Sequence, residues 1–167
     1  MPSSRPKARL GLSTHVSVSS GRIGGMKTSQ VRKRIEKYLD SRKDEYAFLR
    51  SEFAECSESR SGVDKALRAM VSDGQLVRVG YGIYVRSERR ISSITGNEIT
   101  GPVEVPSVWA PQALRKLGVA VGPSKAVREY NERKTTQVPS RIVYDVGVSR
   151  IRRQIFVGRA PVRYERS

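Results

Sequence analysis

The sequence predicts an α+β chain, with helices and a hairpin in its first half and helices followed by strands in its second. Three observations predict it. Val63, Ala66, Leu67, Met70 and Val71 recur at offsets of three and four, which places them on one face of a helix. Leu76, Val77 and Val79, then Ile83, Tyr84 and Val85, are short β-prone runs on either side of Gly80-Tyr81-Gly82, a turn that uses glycine torsion angles. From Pro139 onward, runs of Ile, Val, Tyr and Phe broken by Gly and Ser replace the helical spacing. A helix closed by Asp73-Gly74 and followed by a hairpin is the second half of a winged helix-turn-helix. A small α+β unit whose helix only fills a core has the same outline.

Taken in order, residues 1–26 read as a disordered basic leader, rich in Ser, Gly, Arg and Lys and poor in bulky apolar residues. Met26-Lys27 opens the first periodic segment, so this leader is either a basic arm for a phosphate backbone or a product of start-site choice. Thr28 or Ser29 can cap a helix whose stripe is Val31, Ile35, Tyr38 and Leu39 and which ends near Asp40-Ser41. Tyr46, Phe48 and Leu49 suggest a short strand or a loop plug. Ser51 can cap a short helix that turns Phe53 and Ala54 inward and ends near Cys56. The polar residues 57–62 then form the turn of a helix-turn-helix, giving a winged domain over residues 27–90.

In that arrangement the second helix enters the major groove by its amino-terminal part. Candidate contacts are Ser59, Arg60, Ser61, Asp64, Lys65 and Arg68. Arg60 and Arg68 are the expected base readers, since a guanidinium pairs bidentately with guanine, and Lys65 suits phosphate or guanine. Arg78, Tyr81 and Arg86 belong to the wing, which positions the module through sugar and phosphate.

Residues 91–167 are expected to form a small helix-plus-antiparallel-sheet domain reached through a linker over 87–104. Pro102, Pro106 and Pro111 favour an extended edge around Trp109, with a helix starting at Pro111 and another at Ser124. Strands are expected over 141–146, 152–157 and 161–164. The net charge from 32 basic and 16 acidic residues divides about evenly between the halves. Residues 1–90 hold nineteen basic and ten acidic groups; residues 91–167 hold thirteen and six. Arg150, Arg152, Arg153, Arg159 and Arg163 form a possible second basic patch.

Such a charge excess predicts attraction to a polyanion, double-stranded DNA foremost, or to an acidic protein. Cys56 is the single cysteine, so an intramolecular disulfide and a cysteine-based zinc site are excluded within one chain; His15 is the single histidine and lies in the leader, which argues against a Ser-His-Asp triad or a histidine metal cluster. Cys56 is expected to be a small buried hydrophobe. Carboxylates are scattered singly, which argues against a nuclease. No cofactor or metal is expected. No apolar run approaches the length of a membrane span and no secretory signal is evident, so a cytoplasmic protein without membrane contact is expected.

Val63-Asp64-Lys65-Ala66-Leu67 and the run from Leu76 to Tyr84 resemble the winged-helix half of the AbiE-type antitoxin and transcriptional-regulator family of bacterial abortive-infection toxin–antitoxin systems. Thr135-Thr136-Gln137-Val138-Pro139-Ser140-Arg141-Ile142-Val143-Tyr144 and the arginine-bearing hairpin expected over 149–158 resemble it too, so the likeness covers about residues 27–163. The resemblance implies an antitoxin that binds inverted repeats in its own promoter and neutralises a toxin of the nucleotidyltransferase class. DNA contact then maps to Arg60, Lys65, Arg68 and the wing. Where related chains carry a small-residue, Leu-Gly-Leu-like segment, this chain has the polar run 128–134. An orphan DNA-binding relative without a toxin, or an interaction module for an acidic partner, are the alternatives.

Overall fold

The computed structural model describes residues 22–167, with side chains from Ser29 onward. Helix α1 (Arg22–Asp40) buries Val31, Ile35 and Leu39, as their spacing requires. It begins before the expected cap, so Thr28 and Ser29 lie inside it and the boundary at 26/27 falls within a helix. Once a helix is nucleated, each added residue gains a hydrogen bond, which lets α1 extend through Gly24-Gly25 despite their low propensity. The leader expected over 1–21 lies outside the described residues.

Strand β1 (Ala47–Leu49), a 3-10 segment (Arg50–Cys56), helix α2 (Arg60–Ser72), strand β2 (Leu76–Gly80) and strand β3 (Ile83–Ile91) follow. The strands pair antiparallel in the order β1-β3-β2, with Ala47 and Val77 both opposite Val85. Strand side chains alternate between faces. Phe48, Leu76 and Tyr84 therefore point to one side, where they meet Ile35, Phe53, Leu67 and Met70 from the helices. Ala47, Leu49, Val79, Ile83 and Val85 point to the other side.

That second face is covered by the later part of the chain. Helix α3 (Pro106–Lys116) lays Trp109, Ala110, Ala113 and Leu114 on it, and Val146, Ile155 and Val162 complete the cluster. The expected boundary at 90/91 falls inside β3, and the hydrophobic cluster crosses it. The 87–104 stretch is a hairpin rather than a linker: β3 continues to Ile91 and pairs with β4 (Glu98–Pro102), around a turn in which Gly96 has φ +70°.

Helix α3 starts at Pro106, five residues before the expected Pro111, and Trp109 is helical rather than extended. Pro111 sits in the second turn, where proline costs about 3 kcal/mol. Fully burying a tryptophan, roughly 150–250 Å² at 25 cal/mol per Å², contributes about 4–6 kcal/mol. The packing term wins. Gln112 from the same helix accepts from the Tyr46 amide at 2.9 Å, which closes the outer edge beside β1.

The remaining chain holds β5 (Gly122–Pro123), α4 (Lys125–Asn131), β6 (Val143–Asp145), β7 (Phe156–Val157), β8 (Ala160–Pro161) and β9 (Arg163–Glu165). The expected antiparallel sheet is corrected here. β6 pairs antiparallel with β5 but parallel with β9, because the long connection from 146 to 162 returns the chain in the same direction. The expected strand over 152–157 and the arginine-bearing hairpin reduce to β7, which pairs with β8; Ile155 makes only a single bridge, to Gly80. Helix α4 buries no side chain, which accommodates the polar run at 128–134. It is held by its Ser124 cap and by Arg128, which donates to Asp145 at 2.8 Å. Cys56 is buried and its thiol is pushed up by burial, as a structural cysteine should be. Among the described residues no helix is long and apolar enough to cross a membrane.

Two expectations follow from this packing. Trp109, the only tryptophan, reports on the α3 face, while far-UV circular dichroism reports on the whole chain. Urea unfolding followed by both probes should give coincident transitions, and Leu114→Ala should shift both together by about 2–5 kcal/mol. Separate midpoints would mean that the two halves fold independently.

Asp145 is buried and accepts from Arg128, from the Gly147 amide at 2.9 Å and from the Ser167 amide at 3.3 Å. Arg128 first, then the Ser167 and Gly147 donors, hold its carboxyl well below the usual range. A depressed carboxylate contributes stability that is present above the unfolded value of about 4 and is lost as pH falls toward the folded one. Asp145→Asn should therefore narrow the difference between urea midpoints at neutral and acid pH, and an unchanged difference would contradict this role.

Candidate nucleic-acid interface

Three serines set the start of α2. Ser57 Oγ accepts from the Ser59 amide at 3.1 Å, Ser59 Oγ accepts from the Gly62 amide at 3.4 Å, and the Ser59 and Ser61 hydroxyls lie 2.8 Å apart. Ser59 is thus the N-cap, and the helix begins at Arg60 rather than after the whole 57–62 turn. With Val63, Ala66, Leu67 and Met70 directed into the core, Ser61, Lys65 and Arg68 are left as an exposed stripe at offsets of four and three. Arg60 is exposed at the helix start.

Asp64, also a candidate contact, is already engaged. Arg50 from the 3-10 segment grips it with Nε–Oδ1 of 2.6 Å and Nη2–Oδ2 of 2.9 Å, and also donates to the Arg60 carbonyl at 3.3 Å. The Arg50 guanidinium holds the Asp64 carboxyl below its ordinary value. This fork ties the first helical segment to the second and fixes how α2 is presented. Fourteen residues separate the two partners. No local pattern announces the pair.

The hairpin turn stands beside α2. Gly82 has φ +68°, and Tyr81 is 76% exposed at the tip. Arg78 donates to the Gly80 carbonyl at 3.2 Å and its guanidinium carbon lies 5.9 Å from the Tyr81 ring centre. Between the 3-10 segment, the start of α2 and this turn lies a concavity lined by Arg50, Arg60, Asp64, Tyr81 and, unexpectedly, Arg153. Glu58 is the other acidic residue on its wall.

The expectation for Arg86 is corrected. It does not serve the wing surface: its guanidinium donates to the Leu39 and Arg42 carbonyls and, through Nε, to the Glu45 carbonyl at 2.7 Å, while lying 5.1 Å from the Phe48 ring centre. Those carbonyls are at and just beyond the end of α1, where backbone acceptors and the helix dipole favour a cation. Arg86 lies three residues beyond Ile83, on the face of β3 that looks toward the helices, and is drawn into that site.

The second group of arginines is not gathered at one site. Arg150, Arg152, Arg153, Arg159 and Arg163 are all exposed. Arg153 lines the concavity at the hairpin, whereas Arg163 lines a different depression with Ser140, Arg141 and Ile142. Arg153 reaches its place because the 152–155 segment lies against the end of β2. A Cβ at Gly80 would sit 2.6 Å from the Gln154 carbonyl oxygen, so only glycine admits this approach. The glycines around Tyr81 signal the turn in the sequence, but the second purpose of Gly80 depends on a segment more than seventy residues away. Among the described residues no group of three or more His, Cys, Asp or Glu side chains is placed to hold a metal ion.

Gly80→Ala should therefore destabilise the fold by about 1–3 kcal/mol and shift the amide resonances of 152–156, as expected for overpacking against backbone. A neutral substitution with unmoved resonances would contradict the contact. Comparison of the chain with protein-family models, with curated proteins and with solved structures yields no match.

Proposed function

We propose that this chain is a non-enzymatic, winged-helix DNA-binding regulator that uses α2 as its recognition helix and the β2–β3 turn as its wing. The observation that carries the reading is that Arg60 and Arg153 share one concavity with Tyr81, Arg78 lies against its ring and Lys65 and Arg68 are exposed along the adjoining α2, with no carboxylate within 4 Å of any of these cations among the described residues. Unpaired guanidinium and ammonium groups beside an exposed aromatic, on a protein with net charge +16, suit a phosphate backbone and base edges. The order helix, strand, short helix, helix, hairpin supports the same reading. Arg60 and Arg68 are the proposed base readers, Lys65 and the hairpin cations the positioning contacts. The narrower reading, an antitoxin that represses its own promoter and neutralises a nucleotidyltransferase-class toxin, rests on the resemblance carried by residues 63–67, 76–84 and 135–144.

The test is binding to the chain's own upstream DNA and to a scrambled duplex across a salt series. The expected result is preference for the upstream duplex and a log–log salt slope near −0.9 per phosphate contacted. Arg60→Ala and Arg68→Ala should each cost about 1–3 kcal/mol on the preferred duplex and erode the preference, while Arg78→Ala weakens both duplexes alike. Arg86→Ala should lower thermal stability and leave DNA affinity of the folded protein unchanged. Equal, weak binding to both duplexes would move the reading to an acidic protein partner.

A further inference from the structure

The β3–β4 hairpin stands outside both hydrophobic clusters. Every residue from Glu88 to Thr100 except Ser92 is exposed, and none belongs to either cluster. Three isoleucines lie on it: Ile91 is 67% exposed, Ile94 93% and Ile99 40%. A two-stranded hairpin with no further strand beside it is marginal in water, and its edge offers a row of unpaired donors and acceptors.

The ladder decides which groups are free. The Arg86 carbonyl accepts from the Val103 amide at 3.0 Å, and the Ser92 amide donates to the Asn97 carbonyl at 2.8 Å. Antiparallel pairs alternate between bonded and non-bonded. Between those two bonds, Glu88–Gly101 and Arg90–Ile99 are the bonded pairs, and Arg89–Thr100 and Ile91–Glu98 the non-bonded ones. The amides and carbonyls of Glu98 and Thr100 therefore point away from β3, and none has a backbone partner among the described residues. The Arg86 amide donates to the Tyr46 carbonyl at 2.9 Å, so β1 lies on the same side of β3 as β4. There the edge is covered, because Gln112 accepts from the Tyr46 and Ala47 amides. The β4 edge has no such cover.

Its sequence fits a second copy of itself in one register. Two β4 strands can pair antiparallel through Glu98 and Thr100 in three ways. With Glu98 opposite Glu98, two carboxylates meet. With Thr100 opposite Thr100, Glu98 faces Pro102, which has no N–H to give. With Ile99 opposite Ile99, Glu98 and Thr100 of one copy exchange both bonds with Thr100 and Glu98 of the other, and Gly101 faces Asn97. No like charges are then opposed. The isoleucines form a non-bonded pair, the closer type, with Cα atoms about 4.5 Å apart. The other edge of the hairpin is less suited: the registers that pair its length set Arg89 against Arg89 or Arg90 against Arg90.

We propose that the β4 edge joins two copies of this chain into a four-stranded antiparallel sheet, β3-β4-β4-β3, centred on Ile99. Strands this short bury less than a standard interface, so the dimer dissociates on dilution. The pairing uses neither α2 nor the turn at Tyr81, and the inference stands whether or not the chain binds DNA.

Sedimentation velocity of the full chain, from micromolar to near-millimolar concentration, tests it. The expected result is a shift from monomer to dimer. Amide exchange at the two ends of that range reads the register: the Glu98 and Thr100 amides should gain protection with concentration, whereas those of Ile99 and Gly101, bonded to β3, are protected at both. Thr100→Pro removes one donor per copy from the outer edge and none from the β3 ladder. The variant should keep its Trp109 emission and weaken dimerisation by about tenfold or more. Ile99→Cys should give a disulfide-linked dimer under mild oxidation, since the opposed pair is within disulfide reach, and Thr100→Cys should not. A monomer throughout the range overturns the proposal. A dimer that survives Thr100→Pro, or that crosslinks at Thr100→Cys and not at Ile99→Cys, lies elsewhere or in another register and overturns it too.

Discussion

Strand β3 sends Ile83 and Val85 to one side of the sheet and Tyr84 to the other, and both hydrophobic clusters depend on that alternation. A strand buried on both faces cannot slip by one residue without exchanging its entire apolar set between two differently shaped cores. Tyr84 faces Phe48, Leu67 and Leu76; Ile83 and Val85 face Trp109, Ala113 and Leu114. The register opposite β1 and β2 is thereby fixed from both sides. The position of α2 relative to the hairpin turn, and so the geometry of the proposed interface, follows from that register.

Arginine has several distinct uses in this chain, and burial and distance separate them. Arg86 satisfies carbonyls at the end of α1, Arg128 neutralises the buried Asp145, and Arg50 clamps Asp64. These three cations stabilise the scaffold and are not free for a polyanion. Lys116 likewise bridges Glu45 and Glu52, tying the end of α3 to the segment that precedes α2. Arg60, Lys65, Arg68, Arg78 and Arg153 have no such acidic partner among the described residues; Arg60 and Arg153 line the concavity beside Tyr81, Arg78 lies against its ring, and Lys65 and Arg68 are exposed along α2. Net charge alone does not make this distinction, since every one of these residues adds equally to +16.

Periodic elements were legible in the sequence because their signals are local. The apolar spacing of α2, the Gly82 turn and the Ser124 cap each lie within a few residues of the structure they specify. Errors arose where distant contacts decide. Burial of Trp109 against β1 and β2 carries α3 through Pro111, and pairing with β4 turns an apparent linker into a hairpin. The parallel pairing of β6 and β9 depends on a long return path that no window of sequence displays. In the candidate site, the exposed stripe of α2 follows from helical spacing, whereas the departure of Arg86 and the arrival of Arg153 required knowing which backbone each lies beside.

The central claim is that α2, the hairpin turn and the 152–154 segment form one DNA-facing surface. Amide hydrogen exchange with and without duplex DNA tests it most directly. The account predicts added protection at 59–68, at 78–82 and at 152–154, with residues around the β3–β4 hairpin and α4 unchanged. Protection confined to the β3–β4 hairpin or to α4, with the α2 amides unaffected, would contradict it.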